Sequence, residues 1–179
     1  MNIGFLIISI ALSAVSVQAV DETVFSNNKR ENVLCSLIES VGSIHAMCPT
    51  ITNRVICEAL IRARKNRMEV TVLVNKEARE GEESRQLLQD LADNRVDVFS
   101  VGEKKIDQSV MLFQGCTIGG RVRVVRTAQG SVEPRSTHVS KLTVSSRGIT
   151  YDEYKALFDS LKQNGTKIEP DYVIPSSKL

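Results

Sequence analysis

Met68–Val74, MEVTVLV, is the stretch that most limits what this chain can become. It is apolar nearly throughout, as a strand covered on both faces must be. The neighbouring sequence supplies the cover. Leu34, Leu37, Ile38 and Val41 recur at helical spacing within 29–41, and Val55, Ile56, Ala59, Leu60 and Ala63 do so within 51–66. Leu87, Leu88 and Leu91 form a third stripe within 84–94. Ser43–Cys48 and Val96–Val101 read as further strands between them. Helix and strand thus alternate three times, which predicts an α/β fold with mainly parallel pairing and right-handed crossovers.

The local signals set the boundaries. Ser26 or Asn27 is placed to cap the first helix and Gly42 to stop it, while Thr50 after Pro49 is placed to cap the second. Arg62, Arg64, Lys65 and Arg67 crowd the end of that second helix, where cations suit the helix dipole. Val24–Phe25–Ser26 reads as a short edge strand, and Asn75–Ser84, charged and with Gly81, as a solvated connection. Further on, Ile106–Gly120 reads as a hairpin with its turn at Gln114–Gly115–Cys116. Arg121–Arg126 alternates charged and apolar residues as a half-exposed strand does, 127–136 is a loop, and 137–145 gives another strand. Thr150 with Glu153 marks a capping box for a last helix with Tyr154, Leu157, Phe158 and Leu161 inward. From Asn164 the chain is polar with two prolines and reads as a flexible tail, 164–179.

With 179 residues, the chain suits one domain. Only 4% of its residues are aromatic and Trp is absent, so the core must be aliphatic. A net charge of +2 is too mild to argue for nucleic acid by itself. Met1–Ala19 holds no charged side chain and ends in Val17–Gln18–Ala19, the small residues a signal peptidase reads. We read 1–19 as a signal peptide or, alternatively, a retained N-terminal membrane anchor, and 20–163 as an exported domain (periplasmic or secreted). The terminal Ser177–Lys178–Leu179 matches a peroxisomal address but conflicts with that leader, and Asn164–Gly165–Thr166 matters as a sequon only in a eukaryotic host. Cys35, Cys48, Cys57 and Cys116 show no CxxC spacing, so neither zinc nor another metal or cofactor is expected. Cys35 and Cys57 fall on inner helix faces, and a bridge from Cys48 to a neighbour stays open. Of the two histidines, His45 lies in a buried strand, and His138 stands three residues from Lys141, so on a strand the pair faces opposite ways.

Five segments in order carry a family likeness: VFS, VLCSLIESVGSI, ICEALIRARKNRMEVTVLVNK, LLQDLADNRVDVFSV and IDQSVMLFQGCTI. Together, from about Phe25 to Gln163, they resemble the phospholipase D superfamily, in particular its small single-motif members, the Nuc-type secreted bacterial endonucleases. The resemblance implies an α-β-α sandwich around a mixed, mainly parallel sheet. It also implies phosphodiesterase chemistry by an H-x-K-x4-D motif, with His as nucleophile, Lys on phosphate and Asp supporting His, and a dimer that unites two motifs. Carried over residue by residue, the motif becomes Asp107 for His, Ser109 for Lys and Gln114 for Asp, with Gly115 keeping the turn. The segment after the hairpin, GGRVRVVR, also departs from the family's Gly-Ser and Asn.

An anionic Asp107 repels a phosphodiester, Ser109 brings no positive charge, and Gln114 is no charged partner for an imidazole. Nucleophilic catalysis needs an activated group and an orienting base, and this degenerate motif offers neither. The expectation is a catalytically silent, exported domain that acts by binding an anionic ligand or a protein partner. Lys105, Arg121 and Arg123, with Lys104 and Arg126, are the candidate anion contacts, for nucleic acid or anionic lipid. The alternative is an active nuclease or phospholipase with a rearranged site, or one completed by a partner. A homodimer, or a heterodimer with an intact homologue, would provide the second half.

Overall fold

The computed structural model describes residues 22–25, 30–39, 42–102, 105–115, 123–127, 142–145 and 148–171. Eight strands form one sheet in the order β1-β7-β6-β5-β2-β3-β4-β8. They are β1 (Glu22–Phe25), β2 (Ser43–Cys48), β3 (Glu69–Asn75), β4 (Asp97–Val101), β5 (Val110–Gln114), β6 (Arg123–Thr127), β7 (Leu142–Ser145) and β8 (Thr166–Lys167). Helices α1 (Arg30–Glu39), α2 (Arg54–Lys65) and α3 (Glu82–Asp93) lie between the first strands, and α4 (Gly148–Gln163) follows β7. None of the described helices is long and apolar enough to cross a membrane.

The MEVTVLV run is β3, at the centre of the buried part, and both its faces are covered as its composition requires. Val70, Val72 and Val74 join Ile44, Ala46 and Cys48 of β2 in a core with the inner stripes of α1, α2 and α3. Leu73 turns the other way and joins Met47, Val110, Leu112 and the α4 residues Tyr151 and Phe158. The two cores, one on each side of the sheet, make the α-β-α sandwich.

The sheet is mixed, but the expectation of mainly parallel pairing needs correction. Only β2–β3 and β3–β4 pair in parallel. The other five pairings among the described strands are antiparallel. The cause lies in the connections. Helical crossovers through α2 and α3 return the chain to the same edge and give parallel neighbours, whereas no described helix separates β5, β6 and β7, so these fold back as a meander.

Several local expectations also change. Helix α2 starts at Arg54, and its cap is Asn53, whose side-chain oxygen accepts from Ile56 N at 3.1 Å. Thr50 is no cap; its hydroxyl donates to Ser84 Oγ at 3.1 Å. Val55 and Leu157, expected inward, lie on exposed faces of α2 and α4, and Tyr151 is buried, while Cys57 is buried as its inner-face position implies. Helix α4 begins at Gly148, so Thr150 sits within its first turn rather than at its cap. Asn75–Ser84 is structured, with a 3₁₀ turn at Lys76–Arg79 and buried Asn75, Ala78 and Ser84. Residues 164–171 also pack onto the domain. Thr166–Lys167 pairs with β4 and Ile168 is buried, so the domain extends beyond 163.

Candidate functional site

The parallel strands β2 and β3 end together, at Cys48 and Asn75, and the antiparallel β5 starts at this same end of the sheet. Ligands of open α/β sheets sit at such carboxyl ends. The loop that enters β5 is fixed there by Asn75. Its Nδ2 donates to Ile106 O at 2.8 Å and its Oδ1 accepts from Ile106 N at 2.9 Å, a two-point clamp on a backbone 31 residues away. Asp107, next in sequence, is exposed. Gln108 Nε2 donates to the Tyr154 hydroxyl at 3.2 Å, tying the loop to α4.

Ser109 is 1% exposed. It shares a hydrogen bond with Cys48, whose thiol is pushed up to about 12 by burial, the Ser109 contact acting weakly the other way. The thiol therefore stays neutral and is no nucleophile at ordinary pH. Cys35, Cys48 and Cys57 are all free, so the bridge left open for Cys48 does not reach either of the other two; Cys116 lies outside the described residues.

Gln114 closes the other end of β5, opposite Ser43. Its backbone oxygen accepts from Gly42 N at 3.0 Å and its side-chain oxygen from the Tyr151 hydroxyl at 3.2 Å. Gly115 follows with φ +77°, a left-handed conformation that keeps the turn for glycine. Gln114 lies five residue steps of extended chain beyond Ser109, about 17 Å. Asp107 and Ser109 thus share one end of the sheet, and Gln114 does not join them.

The candidate cations are not gathered either. Lys105 is exposed near Asp107. Arg126 stands opposite Val110 in the register, at that same end, but Arg123 stands opposite Phe113, toward the Gln114 end. Lys104, Arg121 and His138 lie outside the described residues. His45 is buried on the α4 face with its ring 4.9 Å from Phe158, and its Nδ1 has no hydrogen-bond partner. Among the described residues no group of three His, Cys, Asp or Glu side chains is placed to hold a metal ion. Asn75 is the site residue that sequence reasoning missed. It ends an apolar strand just before a charged stretch, a pattern that reads as a loop start.

No family model matches the chain, and no curated protein matches it. Solved structures do. The fold superposes on Nuc, a phospholipase D family member from Salmonella typhimurium, with a TM-score of 0.71 at 15% identity, over 83% of this chain and 97% of that one. NucT from Helicobacter pylori follows at 0.64 and 15%, over 82% and 98%. The chain has the Nuc-like fold of the phospholipase D superfamily. A further likeness is to TrmBL2, an archaeal chromatin protein with its own mode of DNA binding, at 0.58 and 10%, over 86% and 57%.

At this end of the sheet Asp107 carries a solvated carboxylate and Ser109 a buried hydroxyl. The carboxylate at Asp107 faces any incoming phosphate with like charge, and the hydroxyl at Ser109 is turned into the protein.

Proposed function

We propose that the chain is a catalytically silent Nuc-like domain that acts by binding. The observation that carries this reading is Ser109: it is 1% exposed and hydrogen-bonded to Cys48, in the place where the resemblance implies a phosphate-binding Lys. Beside it, Asp107 supplies negative charge where a nucleophile would attack. Covalent phosphodiester cleavage needs an activated nucleophile with an orienting base, and the described residues at this end of the sheet include Lys105 and Arg126 but no His or ionised thiol to serve as one. The superposition with TrmBL2, described as a DNA-binding chromatin protein, supports the same reading, since this fold there accompanies a binding role. The leader-like Met1–Ala19 adds that the binding takes place outside the cytosol.

The test is hydrolysis of bis(p-nitrophenyl) phosphate, plasmid DNA and phosphatidylcholine vesicles by the chain from Val20 onward, at high protein concentration. The expected result is no product above the blank. Robust turnover that His138→Ala abolishes and Asp107→Ala leaves unchanged would overturn the proposal in favour of a rearranged active site.

A further inference from the structure

His45 lies between the sheet and α4, and α4 is the one described helix that contributes to the core on that side. The residue is 6% exposed, its ring stands 4.9 Å from Phe158, and its Nδ1 is buried without a hydrogen-bond partner. Buried polar atoms are almost always paired, and each exception calls for an explanation. Neither the core nor the proposed binding role needs an imidazole here.

The charges that face the ring come from two elements. Helix α4 brings Lys155, Lys162 and Asp159, and β3 brings Glu69. The register partners of His45, Thr71 of β3 and Leu112 of β5, bring none. Lys155 Nζ lies 5.8 Å from the centroid of the Phe158 ring and 2.6 Å from Asp159 Oδ2. The helix carboxylate is therefore engaged by a lysine of its own helix, and Lys162 leaves α4 with surplus positive charge on this face. While His45 is neutral, Glu69 on the sheet opposes that surplus. Protonation sets a cation between them and makes both ring nitrogens donors. Nδ1 must then donate where no acceptor stands, and an unpaired buried charge is costly. Burial, and after it Lys155, hold the pKa of the ring below its ordinary value in the same sense.

The cost is relieved if water reaches the ring, and α4 is the layer that can yield. β2 is paired along both edges, with β3 and with β5. α4 lies on the sheet through side chains, and its printed polar ties to the sheet side are two: Gln108 Nε2 donates to the Tyr154 hydroxyl, and the Tyr151 hydroxyl donates to Gln114 Oε1.

We propose that His45 is an acid-sensitive latch for α4: its protonation releases the helix while β2, β3 and β5 stay paired. Release uncovers Met47, Leu73, Val110 and Leu112. It also unties the loop into β5 and the far end of that strand, since the two tyrosines hold them. Acid control of the candidate site rests on the binding reading above; release of the helix does not, so the hydrolysis assay and the test of the latch fail separately.

The experiment is hydrogen exchange of the chain from Val20 onward at pH 7.5 and 5.5, corrected for the intrinsic change of amide exchange with pH. Amides of α4 exchange faster than those of β2 and β3 at both pH values. Their opening rises at the lower pH by up to about tenfold, the limit for one proton over the one unit below 6.5. His45→Leu and His45→Gln flatten the rise. Lys155→Met keeps the ring but removes a neighbouring cation, so it reduces the rise, and it carries the test if neither His45 variant unfolds cooperatively. The proposal is overturned if α4 is protected to the same level as β3, so that the helix never leaves by itself. It is also overturned if the parent shows no rise, or if the rise survives undiminished in the folded variants.

Discussion

His45 packs its ring against Phe158 and leaves Nδ1 unpaired inside the protein. Burial lowers its pKa below the ordinary 6.5, and Lys155 adds to the lowering; Lys162 acts the same way, while Glu69 and Asp159 oppose it. The folded state therefore prefers the neutral ring. Between 6.5 and the lower folded value the unfolded chain binds the extra proton, so this residue's contribution is complete above 6.5 and is lost as pH falls. From pH 7.5 to 5.5 the loss is at most about 1.4 kcal/mol, the limit set by one proton binding to the unfolded chain over one pH unit. Urea midpoints at the two pH values should show the drop in the parent and a flatter response in His45→Leu. An equal drop in both would mean that other groups set the acid sensitivity. His45 was readable as structural because its strand is apolar around it. Asn75 was not readable, because its role exists only through Ile106, which is distant in sequence and adjacent in the fold.

Among the elements, β8 shows how little signal a short strand carries. Two residues cannot display a period of two, and flanking Gly165 and Pro170 suggest a loose tail. The partner decides instead. Ile168 N donates to Val98 O at 2.8 Å, Lys167 Nζ lies 2.8 Å from Asp97 Oδ1, and Ile168 reaches the core beneath α3. Gly165 runs close to β4, where a Cβ would stand 3.3 Å from the Phe99 side chain. Ile168→Ala should cost about 2 kcal/mol, toward the low end for a large-to-small change because the site lies at the sheet edge. Lys167→Ala, at an exposed ion pair, should change stability by less than about 0.5 kcal/mol. Chemical denaturation of both variants checks the contrast, and an unchanged midpoint in Ile168→Ala would show that the segment docks without stabilising the domain. The same dependence on partners explains α2. Its apolar stripe was legible, but its start depended on which polar residue caps it, and with Asn53 in that place Val55 falls on the outer face.

For the whole molecule, the fold was legible because its buried half follows simple rules: apolar strands covered on both faces, each joined to the next by an amphipathic helix. The antiparallel half was harder, since no described helix lies between β6 and β7 to announce a direction. The site was legible only as a set of substitutions, because sequence gives residue types and not depth. Depth makes the strongest whole-molecule prediction. If silence came from residue types alone, Asp107→His with Ser109→Lys and Gln114→Asp would restore hydrolysis. The structure opposes this at residue 109, which is 1% exposed. A lysine at 109 must place its ammonium in the interior beside Cys48, and burying an unpaired charge is costly enough that the group either deprotonates or disrupts the packing. The triple variant should therefore release no nitrophenol from bis(p-nitrophenyl) phosphate, and Ser109→Lys alone should lower stability by about 3 kcal/mol. Hydrolysis by a triple variant as stable as the parent would place residue 109 in an open cleft, and silence would then be a matter of three side chains rather than of how the loop into β5 is anchored.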